Sequence, residues 1–201
     1  MINYTYLALG DSYTIGEQVP FEENYPNRTV QLLRERGLAF HAPEILARTG
    51  WTTDELQAGI HAHLFLPRYD FVSLLIGVND QYRGRSAEDY KEPFESLLKQ
   101  ALSFAGNQRE RVVVLSIPDW SCTPFAANHD RVRIQEEINR FNEVNKQIAG
   151  KLGIHYIYIT SWTREAAADS SLLAADGLHP SGKEYGRWAA EMADYFRTQA
   201  A

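Results

Sequence analysis

The hydrophobic residues of this chain alternate between short unbroken runs and longer stretches in which apolar positions recur every three or four residues. Each short run is typical of a buried strand, and each periodic stretch is typical of a helix with one face against a core. The pattern predicts strands over residues 4–9, within 38–47, and over 70–76, 111–117 and 154–159, with helices over 24–36, 52–63, 86–105, 134–152 and 181–197. Because strands and helices alternate, right-handed crossovers predict an α/β fold of three layers, α/β/α, around a five-stranded parallel sheet.

Two of the predicted helices begin with a capping box, in which a hydroxyl residue and a glutamate three positions later satisfy each other's backbone N–H groups. Thr52 and Glu55 form one such pair, and Ser181 and Glu184 form the other. Pro93 lies late for a first-turn proline, so it marks either a kink in its helix or a later true start.

Length and charge narrow the class of protein. With 201 residues the chain is long enough for one well-buried core and short for two, so residues 1–201 are expected to form a single domain. Twenty basic residues against twenty-six acidic ones leave a net charge of −6. This balance offers no basic surface for phosphates and argues against nucleic acid as a partner.

Cysteine content and the N-terminal residues bear on location. Cys122 is the only cysteine, so no intrachain disulfide can form, which suits a reducing compartment. The N-terminal residues lack the basic and long apolar regions of a signal peptide, and no apolar run approaches the length of a membrane span. The chain as given is therefore expected to be cytoplasmic.

Polar residues or glycine lie near the ends of three predicted strands and are candidates for chemistry. Asp11 and Ser12 follow the first strand, where Ser12 is expected on an exposed loop. Gly50 precedes a helix N-terminus, and Asn79 follows the third strand. Each has a plain structural alternative, namely a turn or helix cap for Ser12, a tight turn for Gly50 and an Asx turn for Asn79. Their shared position at the carboxyl ends of parallel strands, where such sheets bind ligands, favours a common site.

Asp176 and His179 complete this candidate site. They lie three residues apart in a glycine-containing turn, a spacing that can bring the carboxylate to one imidazole nitrogen while the other nitrogen faces away. The second nitrogen could then take a proton from Ser12, so that the three residues act as nucleophile, base and orienting carboxylate. The N–H groups of Gly50, of the Asn79 side chain and of the Ser12 backbone would converge on the oxyanion formed during acyl transfer.

In this order, these residues resemble the SGNH hydrolases, also called the GDSL esterase and lipase family. Residues 10–12 (Gly-Asp-Ser), Gly50, residues 77–80 (Gly-Val-Asn-Asp) and residues 176–179 (Asp-Gly-Leu-His) look like the four blocks of that family. The resemblance implies a flavodoxin-like fold. It also implies roles for the site residues, which are Ser12, Asp176 and His179 as the catalytic residues and Ser12, Gly50 and Asn79 as the oxyanion donors.

Other candidate sites are weaker. His61 and His63 lie two residues apart on a predicted helix and point to different faces, which makes them a poor metal pair. Cys122 has no base close in sequence and is expected to be a half-buried, unreactive thiol. No glycine-rich phosphate loop is present, and the Gly-x-Ser-x-Gly elbow of ordinary α/β-hydrolases is also missing. We therefore expect neither a metal nor a cofactor.

The site favours a serine ester hydrolase that acts on carboxylic or thio esters through an acyl-enzyme intermediate. The resemblance also allows a lysophospholipase or a carbohydrate deacetylase within the same family. A module that binds an acyl or carboxylate group without turnover is the alternative of another class, and flavodoxin-like nucleotide binding comes third. The sequence pattern does not distinguish a monomer from an oligomer.

Aromatic residues near the carboxyl ends of the strands bear on the substrate. The predicted substrate-binding rim consists of Tyr13, Trp51, Tyr82, Trp120 and Phe125, with an inward-facing core role as the alternative at each position. Tyr13 stands where the short family signature has leucine, which bears on pocket shape. Aromatic surfaces suit a short acyl chain or a sugar face, and no segment offers the long aliphatic channel that a lipid chain requires. The expected partner is therefore a small soluble ester.

Overall fold

The computed structural model describes residues 3–200 and contains a five-stranded parallel sheet. The strands are β1 (Tyr6–Asp11), β2 (Glu44–Arg48), β3 (Phe71–Leu75), β4 (Val112–Leu115) and β5 (His155–Ile157). Their order across the sheet is β2-β1-β3-β4-β5, and each neighbouring pair is parallel. The predicted α/β class is therefore confirmed, and this strand order is that of flavodoxin-like folds.

Helices cover the two faces of the sheet. Within the described residues they are α1 (Ser12–Ile15), α2 (Tyr25–Glu35), α3 (Thr53–Ala62), α4 (Val78–Tyr82), α5 (Ala87–Phe104), α6 (Arg131–Leu152), α7 (Thr160–Thr163) and α8 (Gly182–Gln199). Helix α2 packs against α8, while α5 packs against α3 and α6, which gives the three layers. Between residues 3 and 200, no helix combines the length and apolar character needed to cross a membrane.

Burial of the sheet on both faces explains why the strand sequences are unbroken apolar runs. The central strands β1, β3 and β4 are buried along their whole lengths, whereas most residues of the edge strands β2 and β5 are half-buried. Strands that carry helices on both faces must be apolar on both faces. On one face, Phe71 of β3 stacks on Phe196 of α8 with ring centroids 4.3 Å apart, which holds that helix against the sheet.

The chain reverses its direction of travel across the sheet between β1 and β3. Strand β2 lies on one side of β1, and β3 lies on the other side. The connections that leave the carboxyl ends of β1 and β3 therefore diverge and open a crevice, which is where open α/β sheets bind ligands. Ser12 follows β1 directly and Asn79 lies in α4 just after β3, so both border this crevice.

The predicted capping box at Ser181 and Glu184 is wrong, although α8 does begin there. The Ser181 hydroxyl donates to the Ser171 carbonyl oxygen at 2.7 Å. The Glu184 carboxylate instead accepts the indole N–H of Trp188 at 2.8 Å in the core. A buried indole N–H needs a partner, and this need outweighs the local cap.

The first capping box is confirmed, because the Glu55 carboxylate accepts the Thr52 N–H at 2.9 Å. Helix α5 begins at Ala87, so Pro93 lies inside the helix and does not mark a later start. Strand β1 runs on to Asp11, past its predicted end at residue 9, and this extension sets the position of the residues that follow.

Candidate active site

Ser12 is the first residue of α1, a single helical turn that starts directly after β1. The Asp11 carboxylate caps this turn by accepting the Tyr13 N–H at 3.0 Å. Gly10 is required before it, because a Cβ there would lie 2.5 Å from the Leu75 carbonyl oxygen of the neighbouring strand. Ser12 is 4% exposed and so differs from the expected exposed loop residue, since β1 carries it down into the crevice.

Two hydrogen bonds join Ser12, His179 and Asp176 in series. Ser12 Oγ lies 3.0 Å from His179 Nε2, and His179 Nδ1 lies 2.6 Å from Asp176 Oδ2. The His179 ring is almost buried and packs against the Tyr13 ring, with centroids 4.9 Å apart. With its Nδ1–H held by the carboxylate, the imidazole has Nε2 available to accept the hydroxyl proton.

Asp176 holds the histidine through a local turn. Its Oδ1 accepts the backbone N–H groups of Leu178 and His179, each at 3.0 Å. Burial alone would raise the pKa of this carboxyl, but the bonds to His179 and Leu178 lower the pKa of Asp176 below its ordinary value. The carboxylate therefore stays ionised and can stabilise an imidazolium beside it.

The turn that carries His179 is also tied to the loop after β4. The Gly177 carbonyl accepts the Phe125 N–H at 3.2 Å, and Gly177 itself has a φ of 66°. On the other side, the Ala174 N–H donates to the His179 carbonyl oxygen at 2.8 Å. The position of the histidine thus depends on a loop that lies far from it in sequence.

Gly50 occupies the third position of a four-residue turn that ends β2. The Trp51 N–H closes the turn by donating to the Arg48 carbonyl oxygen at 3.2 Å, and Gly50 has a φ of 78°. A side chain would strain this conformation, which explains the glycine. The turn brings the Gly50 backbone to the cleft that Ser12 also lines.

Helix α4 and the residue that follows it hold the Gly50 turn with two side chains that lie one helical turn apart. The Asn79 amide donates to the Trp51 carbonyl oxygen at 3.0 Å, and the Arg83 guanidinium donates to the Gly50 carbonyl oxygen at 2.7 Å. A carboxamide carries two N–H donors, so Asn79 retains one for a ligand in the cleft. Asn79 can therefore both anchor the turn and bind an oxyanion.

Asp80 and Arg83 support the site, although the sequence pattern assigned a role to neither. The Asp80 carboxylate is fully buried and accepts both the N–H and the hydroxyl of Thr53, at 3.0 and 2.8 Å. Burial raises the pKa of Asp80, and the bonds from Thr53 and the charge of Arg85 oppose that rise. The available signals were the position of Asp80 directly after Asn79 and the i+4 spacing of Arg83 from Asn79.

Ser12 opens into a cleft of about 170 Å³, part of whose wall is aromatic. Tyr82, Trp120 and Phe125 contact one another there, with ring centroids 5.5 to 6.1 Å apart. Tyr82 and Phe125 are exposed, whereas Trp120 is buried and donates its indole N–H to Gln81 at 2.8 Å. The remaining lining residues are Tyr13, Thr49, Gly50, Val78, Asn79, Leu178 and His179.

Trp51 is the predicted rim residue that the structure places elsewhere. Its ring packs against Gly59 of α3, where a Cβ would lie 2.5 Å from the nearest ring carbon. The turn at Gly50 sends the Trp51 side chain onto α3 and leaves only its carbonyl group beside Asn79. Trp51 therefore contributes its backbone to the site, and its ring stabilises the adjoining helix.

Asp11 carries an unsatisfied oxygen beneath the site. Its Oδ1 caps α1, but Oδ2 is buried without a hydrogen-bond partner among the described residues. Burial raises the pKa of Asp11 to about 8, and the nearby Asp80 carboxylate adds to the effect. Asp11 is therefore largely protonated at neutral pH.

The remaining sequence candidates have ordinary surroundings. Cys122 is half-buried, as expected, and its thiol contacts two backbone carbonyl oxygens at 3.1 and 3.2 Å. Burial raises the pKa of Cys122 to about 11, so it is protonated and a poor nucleophile. His61 lies exposed on α3, and His63 pairs with Glu44 at 2.8 Å.

Comparison with protein families places this arrangement among known sequences. A sequence model of the GDSL-like Lipase/Acylhydrolase family matches residues 8–187. This range runs from β1 into α8 and includes Ser12, Gly50, Asn79, Asp176 and His179. No curated protein sequence matches the chain significantly.

Solved structures share the fold over nearly the whole chain. A psychrotrophic esterase from Pseudoalteromonas sp. has a TM-score of 0.73 at 18% identity, covering 98% of this chain and 99% of its own. The lipase/acylhydrolase from Enterococcus faecalis has a TM-score of 0.76 at 18% identity, with coverages of 98% and 96%. An acetylxylan esterase from Geobacillus stearothermophilus has a TM-score of 0.71 at 19% identity, with coverages of 96% and 92%. At these identities the likeness shows the fold alone.

Proposed function

Because the chain belongs to the GDSL-like lipase/acylhydrolase family, we propose that it is a serine ester hydrolase that works through an acyl-enzyme intermediate. The observation that carries this proposal is the series of hydrogen bonds from Ser12 through His179 to Asp176, at 3.0 and 2.6 Å. These distances are those at which a general base can take a proton from a nucleophile. We further propose that residues 1–201 act as one domain without a metal or cofactor.

The proton steps follow from the positions of these three side chains. As Ser12 Oγ attacks the ester carbonyl carbon, its proton passes to His179 Nε2, and the Asp176 carboxylate stabilises the imidazolium. The imidazolium then protonates the departing alcohol or thiol, which leaves an acyl group on Ser12. Water attacks this acyl group with His179 again as the base, and the acid is released.

The oxyanion formed in each step needs N–H donors directed at one point. We assign this role to the backbone N–H groups of Ser12 and Gly50 and to the second amide N–H of Asn79. Support comes from their common position on the cleft and from the anchoring of the Gly50 turn by Asn79 and Arg83. Donors that are already held in place cost no reorganisation when charge develops on the substrate.

The size of the cleft supports a short acyl group. Its volume of about 170 Å³ is below the roughly 300 Å³ at which pockets for drug-sized ligands begin. The buried Trp120 forms a wall that would stop a long acyl chain. We therefore propose esters or thioesters of small acids as the substrates, and the acetylxylan esterase from Geobacillus stearothermophilus shows that this fold accommodates such an activity.

A fluorophosphonate probe and p-nitrophenyl acetate test this function on the wild-type protein and on Ser12→Ala. The wild type should be labelled and active, whereas the variant should lose both the label and the turnover while keeping its melting temperature. Ser121→Ala is a matched control, since Ser121 is a buried serine away from the cleft lining, and it should behave as the wild type does. Inhibition by an organophosphonate is expected as well, because the Pseudoalteromonas esterase is inhibited by monoethylphosphonate.

Full activity in a folded Ser12→Ala protein would contradict the proposed nucleophile. A wild-type protein that takes no label and cleaves no ester, yet binds acetate, would instead be the non-catalytic binding module.

A further inference from the structure

A second groove adjoins the catalytic cleft on the far side of Tyr82 and Trp120. Both residues line the cleft and the groove, so the two depressions are direct neighbours. The groove has a volume of about 420 Å³. Gln81 and Gly84 also line it, and the rest of the wall comes from the start of α6 and the residues before it, namely His129, Asp130, Arg133, Ile134 and Glu137.

Aromatic rings form a path from the cleft into this groove. Phe125 is 41% exposed and stacks on His129 at an interplanar angle of 16°, with ring centroids 6.0 Å apart. Tyr82 is 51% exposed and contacts Phe125 with centroids 6.1 Å apart. Large exposed rings clustered beside a cleft are typical of a ligand-binding surface. Their flat apolar faces extend beyond the cleft as far as His129 in the groove.

Two charged side chains of the groove, Arg133 and Glu137, pair with each other, whereas the Asp130 carboxylate caps α6 by accepting the Arg133 backbone N–H at 3.1 Å. Arg133 Nε lies 2.7 Å from the Glu137 carboxylate, and the Gln81 amide donates to the same carboxylate at 2.8 Å. The pairing cancels most of the local charge but leaves unused N–H donors on the guanidinium and lone pairs on the carboxylate. A neutral ligand that carries many hydroxyl groups suits this surface better than an anion does, because the Asp130 carboxylate adds a negative charge.

The chemistry of ester cleavage relates the groove to the alcohol part of the substrate. The departing alcohol must lie next to His179, which protonates it. The aromatic path starts on that side, since the Phe125 N–H is bonded to Gly177 in the turn that carries His179. The small cleft then holds the acyl group, and the larger groove receives whatever the alcohol carries.

We propose that this groove is a leaving-group subsite for the sugar residues of an acylated carbohydrate, an inference that rests on the ester hydrolase function proposed above. A pyranose ring has an apolar C–H face that can stack on Tyr82 or Phe125 and a rim of hydroxyl groups that can bond to Arg133 and Glu137. In the reaction, the bond between the acyl carbon and the sugar oxygen breaks, Ser12 takes the acyl group, and the sugar hydroxyl leaves with the proton from His179. Water then releases the acid.

Acetylated xylotriose and vinyl acetate provide the test, because they carry the same acyl group and differ in whether the alcohol can reach the groove. Release of acetate is measured for the wild type, for the double variant His129→Ala/Arg133→Ala and for Arg140→Ala. Arg140 is the matched control, since it is an exposed arginine of α6 that pairs with Glu136 and lies outside the groove. The double variant should lose about tenfold in kcat/KM on acetylated xylotriose, equivalent to about 1.4 kcal/mol. On vinyl acetate it should stay within about twofold of the wild type, and Arg140→Ala should do so on both substrates.

The outcomes separate the subsite from the proposed function. If the double variant cleaves acetylated xylotriose as well as the wild type does, or loses equally on both substrates, the groove is not a sugar subsite. If the wild type cleaves vinyl acetate but not acetylated xylotriose, the carbohydrate assignment is wrong while the ester hydrolase function stands. If neither ester is cleaved, the proposed function fails and the subsite fails with it.

Discussion

Replacing Asn79 by alanine tests the oxyanion assignment most directly, because the structure gives Asn79 two separable roles. One amide N–H donates to the Trp51 carbonyl oxygen at 3.0 Å and so helps to hold the Gly50 turn. The other is assigned to the oxyanion. Alanine removes both donors. Loss of the bond to Trp51 changes the stability of the folded protein, whereas loss of the oxyanion donor changes the free energy of the transition state, so the two effects are measured separately.

The two losses differ in size as well as in kind. Removal of one oxyanion donor lowers kcat by about a hundredfold to a thousandfold, or roughly 3–4 kcal/mol. KM should change less, because the donor acts chiefly in the transition state. Loss of the bond to Trp51 should cost about 1 kcal/mol of stability, which lowers the melting temperature of a chain of this size by about 2–4 °C. Steady-state kinetics on p-nitrophenyl acetate and a melting curve measure both quantities.

Arg83→Met is the matched control, since Arg83, at the C-cap of α4, holds the same turn by donating to the Gly50 carbonyl oxygen at 2.7 Å. Its guanidinium is occupied by that oxygen and by Glu55, so the assigned oxyanion donors remain in place. We expect a fall in kcat of less than about tenfold, since one of two anchors stays and each net hydrogen bond is worth about 1 kcal/mol. Equal losses of kcat in the two variants, or a kcat within threefold of the wild type for Asn79→Ala, would refute the oxyanion role of Asn79.

Three further predictions concern pH and substrate range. kcat/KM should rise with pH as a single ionisation, because His179 must be neutral to act as a base; the lowered pKa of Asp176 keeps that carboxylate ionised throughout. A flat profile would contradict the base. Burial raises the pKa of Asp11 to about 8, so the folded state holds a proton that the unfolded state releases from about pH 4 upwards, and the contribution of Asp11 to stability should fall as pH rises from about 4 to 8. The Asp11→Asn side chain can still cap α1 but does not titrate. In urea unfolding, the free energy of unfolding of this variant should therefore rise relative to that of the wild type over that pH interval. A difference that does not change with pH would argue against a buried neutral carboxyl. Among p-nitrophenyl esters from acetate to palmitate, the wild type should cleave those with the shortest acyl groups best. Trp120→Ala should extend this range to longer acyl chains. A preference for palmitate, or an unchanged chain-length profile in the variant, would show that the cleft walls do not limit the acyl group.

The local parts of this protein could be predicted because they depend on few neighbouring residues. Asp176 and His179 meet within one turn, and their spacing and the glycine between them are enough to predict the contact. The apolar runs likewise determine the strands, since a strand buried on both faces needs an unbroken run of apolar residues. The Thr52–Glu55 capping box is local in the same sense, and it formed as predicted.

Contacts between distant segments were decided by the tertiary structure. Ser12 and His179 are 167 positions apart, and only the packing of the strands around β1 brings their side chains to 3.0 Å. Their sequence positions indicated a shared edge of the sheet, but not the burial of Ser12 or the anchoring of Gly50 by Arg83.

The same distinction explains where sequence reasoning was wrong. Ser181 and Glu184 have the spacing of a capping box, yet the buried indole of Trp188 takes the carboxylate because no water can reach that N–H. Trp51 could face either the cleft or α3, and the turn at Gly50 selected α3. The raised pKa of Asp11 was beyond sequence reasoning as well, because it comes from burial by segments that follow Asp11 in the chain. A hydrogen bond within a turn depends on adjacent residues, whereas burial depends on every segment packed around a group, and only the folded chain determines those neighbours.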